Sequence, residues 1–136
     1  MKICFDTNIV IDILEKREPF FKDSYAAFLM AAKRKIEGII GASAVTDIYY
    51  SVRKSRKSKR DALADVIDLF NTLTVVDTTR DDIHFAAVSE MTDFEDAVSA
   101  AEARREGAGY IIIRNTGDFI NSPVPAILPG IFLTLV

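Results

Sequence analysis

The sequence predicts a layered α/β protein built on a mainly parallel sheet with helices on both faces. Short apolar runs alternate with longer stretches in which apolar residues recur at helical spacing. The first run, Ile3–Phe5, is apolar at every position, which is typical of a strand that is covered on both faces. With 136 residues the chain has the length of one domain, 1–136, and can bury a real core.

Each element follows from its own local pattern. Asp6 ends the first strand, and Thr7 and Asn8 can cap the helix that follows. Ser43 is the expected cap of a later helix, and Gly107 is the expected end of another. The predicted strands are residues 3–5, 38–42, 74–77, 110–113 and 131–135, and the predicted helices are residues 8–16, 20–36, 43–52, 61–73, 93–106 and one around 83–88.

Large apolar residues predict which helix faces pack against the sheet. In the second helix these residues are Phe21, Tyr25, Phe28, Leu29 and Ala32. In the helix of residues 61–73 they are Leu63, Val66, Ile67 and Phe70. We therefore expect these two sets of side chains to be buried.

Composition limits the kinds of site that this chain can build. The single cysteine, Cys4, lies inside the first strand and is expected to be a core residue, and the single histidine, His84, is expected at the surface. Mechanisms based on a Ser-His or Cys-His pair therefore have little support. No basic segment precedes an apolar run at the N-terminus, and no apolar stretch reaches the ~18 residues of a membrane span, so we expect a cytoplasmic protein with no membrane partner.

Charge is segregated along the chain although the net charge is only −3. Residues 53–60 hold six cations and no acid, whereas residues 81–96 hold six acids and neither Lys nor Arg. The basic run is either an ordinary solvated segment or a surface that binds a polyanion. The acidic run is either a polar helix face or part of a site.

Acids follow several predicted strands at what should be one edge of the sheet. Asp6 ends the first strand, although a helix-capping role explains it equally well. Asp47 comes four residues after Ser43, one position too late for a reciprocal capping box. The remaining acids are Asp93 and Asp96, three residues apart at a helix start, and Asp118, in the loop after the fourth strand.

Neighbouring carboxylates of this kind require a counter-charge. Repulsion and loss of solvent both favour protonation, and a divalent cation removes that problem. Because the available ligands are all oxygen atoms, Mg²⁺ or Mn²⁺ is expected rather than zinc. Such an ion suits hydrolysis of a phosphodiester bond by a metal-activated water, without a protein nucleophile.

Over nearly its whole length the chain resembles the PIN-domain ribonucleases, and most closely the VapC-type toxins of bacterial toxin–antitoxin pairs. Four segments carry the resemblance, namely FDTNIVIDIL at residues 5–14, SAVTDIYY at 43–50, DFEDAVSAAEAR at 93–104 and YIIIRNTGDF at 110–119. The resemblance implies a five-stranded sheet of order 3-2-1-4-5. It also implies metal-binding, catalytic acids at Asp6, Asp47, Asp96 and Asp118, with Asp93 as a nearby fifth acid and Asn8 and Asn115 as supporting polar residues.

The same resemblance implies an activity and partners. The expected activity is metal-dependent cleavage of RNA that leaves 5′-phosphate and 3′-hydroxyl ends, in a homodimeric toxin held by a cognate antitoxin. Apolar residues near 9–14 and 49–52 are the expected dimer contacts. The basic residues expected to hold the RNA backbone are Arg53, Lys54, Arg56 and Lys57.

Two other hypotheses remain open. Asp47 stands where the family usually has Glu, and the shorter side chain favours a catalytically weak PIN-like RNA-binding protein. The other is a receiver-like phosphorylation domain, which also collects acids at strand ends. That hypothesis requires paired acids at the first strand and a Lys after the fifth, whereas this chain has Asp6 alone and a predicted final strand that runs to its end.

Overall fold

The computed structural model describes residues 1–136 and contains five strands and seven α-helices. The strands are β1 Lys2–Phe5, β2 Glu37–Gly41, β3 Thr74–Val76, β4 Tyr110–Ile112 and β5 Ala126–Ile127. The helices are α1 Thr7–Leu14, α2 Phe21–Ala32, α3 Ala42–Ser55, α4 Lys59–Leu69, α5 Arg80–Val88, α6 Phe94–Arg105 and α7 Pro129–Leu133. None of these helices has the length and apolar character that a membrane-spanning helix needs.

The five strands form one parallel sheet of order β3-β2-β1-β4-β5, as the resemblance implied. The central strand is β1, in which Cys4 pairs with Ile39 of β2 on one side and Ile111 of β4 on the other. A receiver-like domain has a different strand order, 2-1-3-4-5. The observed order therefore excludes that hypothesis.

Helices cover both faces of the sheet, and alternate residues of β1 face different layers. Ile3 and Phe5 belong to the larger core, with residues from α1, α2, α3, α4 and α7. Cys4 faces the opposite side, where Ala100 and Ala103 of α6 pack against the sheet. The short alanine side chains let α6 lie close to the strands, which brings its N-terminal acids toward the strand ends.

The predicted inner faces of α2 and α4 were right only in part, because Phe28 and Val66 pack inward as predicted while other large residues of those faces do not. Helix α2 buries Ser24, Ala27 and Ala31, whereas Phe21 and Tyr25 stack on each other outside with ring centroids 5.3 Å apart. Helix α4 buries Ala62, Val66 and Leu69 and leaves the other large apolar residues of its predicted face, Leu63, Ile67 and Phe70, exposed. The buried residues of α2 are small, and those of α4 include Ala62 and Leu69, so a face chosen by the other large residues is rotated away from the true contact.

The end of the chain also differs from the prediction. The predicted strand 131–135 lies largely in helix α7, and the last strand is the short β5, in which Ala126 pairs with Ile111. Pro129 occupies the first turn of α7, where its fixed φ suits a helix and its missing N–H costs nothing. Because Phe132 is fully buried against the larger core, tertiary packing overrides the strand propensity of this apolar run.

The start of α3 corrects the expected role of Ser43. The helix begins at Ala42 with Gly41 in the N-cap position, and the Ser43 amide donates to Thr78 Oγ1 at 3.0 Å. The Thr78 hydroxyl in turn donates to the carboxylate of Glu102, which is buried. A chain of hydrogen bonds therefore joins α6, the segment after β3 and the start of α3.

The residues expected to form a dimer contact are mostly buried. Ile9, Val10 and Val52 belong to the core, and Tyr50 alone in those two segments is a largely exposed apolar side chain, with 67% of its surface accessible. Exposed apolar surface lies instead on α4, at Leu63 and Ile67.

We expect Gly41→Ala to destabilise the fold by about 1–3 kcal/mol. A Cβ atom at position 41 would overlap the Glu102 carboxylate, and moving that carboxylate would break its hydrogen bond with Thr78. Urea denaturation gives the free energy of unfolding. Gly109→Ala is the matched control, because a Cβ there meets only the Lys2 carbonyl at 3.9 Å. Equal effects of the two substitutions would show that the Glu102 contact does not restrict position 41.

Candidate metal site

The main chain fixes Asp6 between β4 and α1. Its amide donates to the Ile112 carbonyl at 3.1 Å, and its carbonyl accepts from the Ile9 amide at 3.1 Å. The residue occupies the N-cap position of α1, yet its side chain makes no capping hydrogen bond. The carboxylate is only 4% exposed, and no capping hydrogen bond of normal geometry holds it.

Burial raises the pKa of Asp6 to about 6. The amides of Asn8 and Thr7 and the Arg114 guanidinium oppose this shift, and the negative charge of Asp93 adds to it. At this position the ionised form is therefore disfavoured by loss of water and by a neighbouring acid.

The first turn of α6 brings two further acids to the same edge. Asp93 caps the helix, because its Oδ1 accepts from the Asp96 amide at 2.9 Å. Burial, together with the negative charges of Asp6, Asp93, Asp118 and Glu95, raises the pKa of Asp96 to about 7. Asp96 therefore lies within electrostatic reach of acids from two other parts of the chain, Asp6 and Asp118, and of its neighbours at the start of α6.

Asp118 lies in the 3₁₀ turn after β4, where Asn115 orients it. Asn115 Nδ2 donates to Asp118 Oδ2 at 3.1 Å, and Asn115 Oδ1 accepts from the Gly117 amide at 3.1 Å. This geometry suits the supporting role predicted for Asn115. Asn8 is exposed, and its side chain makes no hydrogen bond that would orient an acid.

Asp47 lies apart from the other predicted acids and next to Glu95, an acid that was not predicted from the sequence. It lies on the exposed side of α3, past the first turn, and its charge is the largest cause of the raised pKa of Glu95. Asp47 and Glu95 line a cavity of about 240 Å³ together with Thr7 and Ser43. Asp47 is not among the charges that shift Asp6 or Asp96. One feature of the sequence could have identified Glu95 as a site residue, namely its position between Asp93 and Asp96 at the helix start.

The basic run lies at the other end of α3 from the acids. Arg53 is six residues beyond Asp47, about 9 Å along the helix axis. Arg56 is engaged inside the protein, because its Nε contacts Asp65 Oδ2 at 2.7 Å and another of its nitrogens donates to the Leu14 carbonyl at 3.0 Å. Arg56 therefore ties α1 to α4, and the RNA contact predicted for Arg53, Lys54, Arg56 and Lys57 stays a prediction.

The donor set suits a hard cation held through few protein atoms. No three Asp, Glu, His or Cys side chains stand close enough to enclose an ion by themselves. Mg²⁺ usually keeps several waters and takes one or two carboxylates, so it needs no such enclosure. Arg114 is the only cation among the groups that shift Asp6 and Asp96, which leaves a surplus of negative charge for a bound ion.

Comparison with known proteins gives a consistent result. The family model of the PIN domain matches residues 2–117. Ribonuclease VapC1 of Aquifex aeolicus is 25% identical over 116 residues, which cover 82% of this chain and 79% of that protein. Among solved structures, VapBC2 from Rickettsia felis, bound to a promoter DNA fragment, matches with a TM-score of 0.73 at 18% identity over 94% of this chain and 98% of that one. The Mycobacterium tuberculosis toxin VapC20, described as cleaving the sarcin-ricin loop, matches with a TM-score of 0.72 at 17% identity over 93% and 99% of the two chains.

We expect Asp96→Asn to stabilise the metal-free protein at pH 8. The folded-state pKa of Asp96 is raised to about 7 from an ordinary value of 3.8, so the folded state loses stability relative to the unfolded state as the pH rises between these values. The gain in melting temperature should therefore grow from pH 4 to pH 7 and then level off, reaching a few degrees. Thermal unfolding in EDTA across this range measures it.

Asp81→Asn is the control for loss of one negative charge, because Asp81 is an exposed acid in the first turn of α5. A rise in melting temperature for Asp96→Asn that is the same at pH 4.5 and pH 8 would contradict the electrostatic account of this site.

Proposed function

The chain belongs to the PIN domain family, and we propose from this that it is an endoribonuclease that hydrolyses RNA phosphodiester bonds with Mg²⁺ or Mn²⁺. The observation that carries the proposal is the electrostatic coupling of Asp96, at the start of α6 beside Asp93, to Asp6 and Asp118, which come from two separate segments. The similarity to a protein named Ribonuclease VapC1 supports RNA as the substrate.

Asp6 and Asp96 are the side chains that would hold the cation, with Asp118 beside them. A divalent ion bound there supplies an activated water and neutralises charge that develops on the phosphoryl group. Asp6 is held by main-chain hydrogen bonds on both sides, so its carboxylate is in place before substrate arrives. Asn115 orients Asp118, and Asp93 adds negative charge while it caps α6.

We extend the proposal to the partners of the molecule. A cognate antitoxin is supported by the likeness of the whole chain to the Rickettsia felis VapBC2 structure and to a toxin–antitoxin complex from Klebsiella pneumoniae, the latter with a TM-score of 0.68 and 20% identity over 93% of this chain and 97% of that one. In this proposal the protein is the toxin of a type II pair. A homodimer is part of the same proposal, and the exposed apolar residues on α4 are available for its contact.

A second candidate function rests on Asp47. This acid is exposed and faces Glu95 rather than Asp6 and Asp96, so its contribution to a bound ion is weaker than that of a residue inside the group. A protein with this arrangement could bind RNA and turn it over slowly. Asp47 therefore distinguishes an efficient nuclease from a PIN-like RNA-binding protein.

We expect the purified protein to cleave RNA in Mn²⁺, and EDTA to stop the reaction. Asp6→Asn and Asp96→Asn should each lower the cleavage rate at least 100-fold, because each removes a charge that holds the ion. A gel-based assay on a labelled RNA gives the rate, and enzymatic end analysis gives the ends, expected to be 5′-phosphate and 3′-hydroxyl. Undiminished cleavage by both variants would contradict the proposal and point to a contaminating nuclease.

Asp47→Asn separates the two candidate functions in the same assay, with Asp81→Asn as the charge control. A small loss at Asp47 with a fast wild-type rate supports an efficient nuclease that relies on Asp6 and Asp96. RNA binding without measurable cleavage supports the second candidate.

A further inference from the structure

A cavity of about 350 Å³ opens beside the candidate metal site and contains none of its acids. Its walls come from segments that follow the ends of β1, β4 and β5, and they include Ile9, Phe20, Ser24, Arg114, Leu128 and Ile131. The volume lies within the range of ligand pockets, ~300–1,000 Å³.

The cavity and the metal site share their supporting backbone. Ile9 lies in the wall of the cavity, and its amide donates to the Asp6 carbonyl at 3.1 Å. Arg114 follows two residues after Ile112, whose carbonyl accepts from the Asp6 amide at 3.1 Å. The Arg114 side chain, which lines the cavity, also lies close enough to Asp6 for its charge to oppose the raised pKa of that acid, so the cavity borders the metal site.

The polar groups of the cavity, Asp23, Ser24 and Arg114, suit a flat ring whose edges both donate and accept hydrogen bonds. The Arg114 guanidinium lies over the Phe20 ring, 4.6 Å from its centroid, and its single hydrogen bond runs from one terminal nitrogen to Asp12 Oδ1 at 2.6 Å. The other N–H groups of Arg114 are free to donate to a ligand. Ser24 adds a buried hydroxyl without a hydrogen-bond partner.

Buried Asp12 keeps Arg114 in this position. Asp12 is fully buried, and Arg114 and Arg17 are its two basic neighbours, at 2.6 Å and 3.9 Å. Withdrawing Arg114 would leave a buried carboxylate poorly compensated, which is costly. The guanidinium plane is therefore a fixed part of the cavity wall.

We propose that this cavity binds the base of the nucleotide next to the scissile phosphate, by stacking against Phe20 and Arg114 and by hydrogen bonds from Arg114. This inference rests on the proposed ribonuclease function and deepens it. RNA carries a base beside every phosphate, and aromatic rings and guanidinium planes are surfaces on which bases stack. A protein partner's side chain is the alternative occupant and is tested below.

The test is a coupling experiment with short labelled RNAs, either intact or with one base removed at each position in turn. Fluorescence anisotropy in Ca²⁺ measures binding, and cleavage in Mn²⁺ is measured in parallel. For the wild type, loss of one particular base should weaken binding about tenfold. Phe20→Ala should weaken binding of intact RNA by a similar factor, and removal of that base should then have no further effect.

Two further variants control the experiment. Phe85→Ala removes an equivalent pair of arginine and aromatic ring outside the cavity, because Arg104 lies 4.7 Å from the Phe85 ring centroid. Binding by that variant should still depend on the base. Arg114→Lys keeps a positive charge for Asp12 but loses the planar group, and it should lose the dependence on the base. Phe20 is 40% exposed, so the fold should tolerate its replacement.

Three outcomes would overturn the base-binding proposal, and they differ in what they imply for the ribonuclease proposal. RNA that is cleaved, with independent effects of base removal and Phe20→Ala, overturns the base-binding cavity and leaves the nuclease proposal standing. RNA binding that is unchanged in both Phe20→Ala and Arg114→Lys also overturns it and leaves a protein partner's side chain as the alternative occupant. No RNA binding and no cleavage by the wild type overturns both proposals.

Discussion

The parallel pairing of β1 with β2 and β4 is the constraint on which the site depends. It brings the ends of the central strands to one edge of the sheet, and the hydrogen bond from Asp6 to Ile112 continues the ladder one residue past β1. Helices α1 and α6 begin at that edge, so their capping positions hold Asp6 and Asp93. The topology therefore gathers acids that are far apart in the sequence, and the raised pKa values of Asp6 and Asp96 are the energetic consequence.

Helix dipoles reduce that cost without removing it. The positive N-terminal ends of α1 and α6 face the acids, yet burial and mutual repulsion still hold the pKa of Asp96 at about 7. A second buried acid lies farther along α6, where burial raises the pKa of Glu102 to about 7 and one of its oxygens has no hydrogen-bond partner. Glu102 contacts Thr78 and restricts Gly41, so it connects the helix of Asp96 to the helix of Asp47. Both acids disfavour the folded state when they are ionised without a counter-charge.

Local sequence pattern predicted most of the strands and helices. It failed where tertiary packing determines which face of a helix is buried or whether a segment is a strand or a helix. The alternation of strands and helices, the cap at Asp93 and the helix end at Gly107, which has a positive φ of 74°, all follow from residues close together in sequence. The rotation of α2 and α4 depends on which side chains meet the core, small ones such as Ala27 and Ala62 included, and the periodicity of large residues does not reveal this. The same holds for α7, where burial of Phe132 turns a predicted strand into a helix. In the site, the position of Asp47 depended on where α3 begins, and Gly41 rather than Ser43 marks that point.

The central claim is that partly protonated acids at this edge bind a divalent cation in their ionised form. Calorimetric titration with Mn²⁺ in buffers of different ionisation enthalpy measures the protons released on binding. Because the pKa values of Asp6 and Asp96 are about 6 and about 7, the account predicts proton release at pH 6.5 that falls toward zero at pH 8.5. Absence of Mn²⁺ binding, or binding with no proton release at either pH, would contradict it.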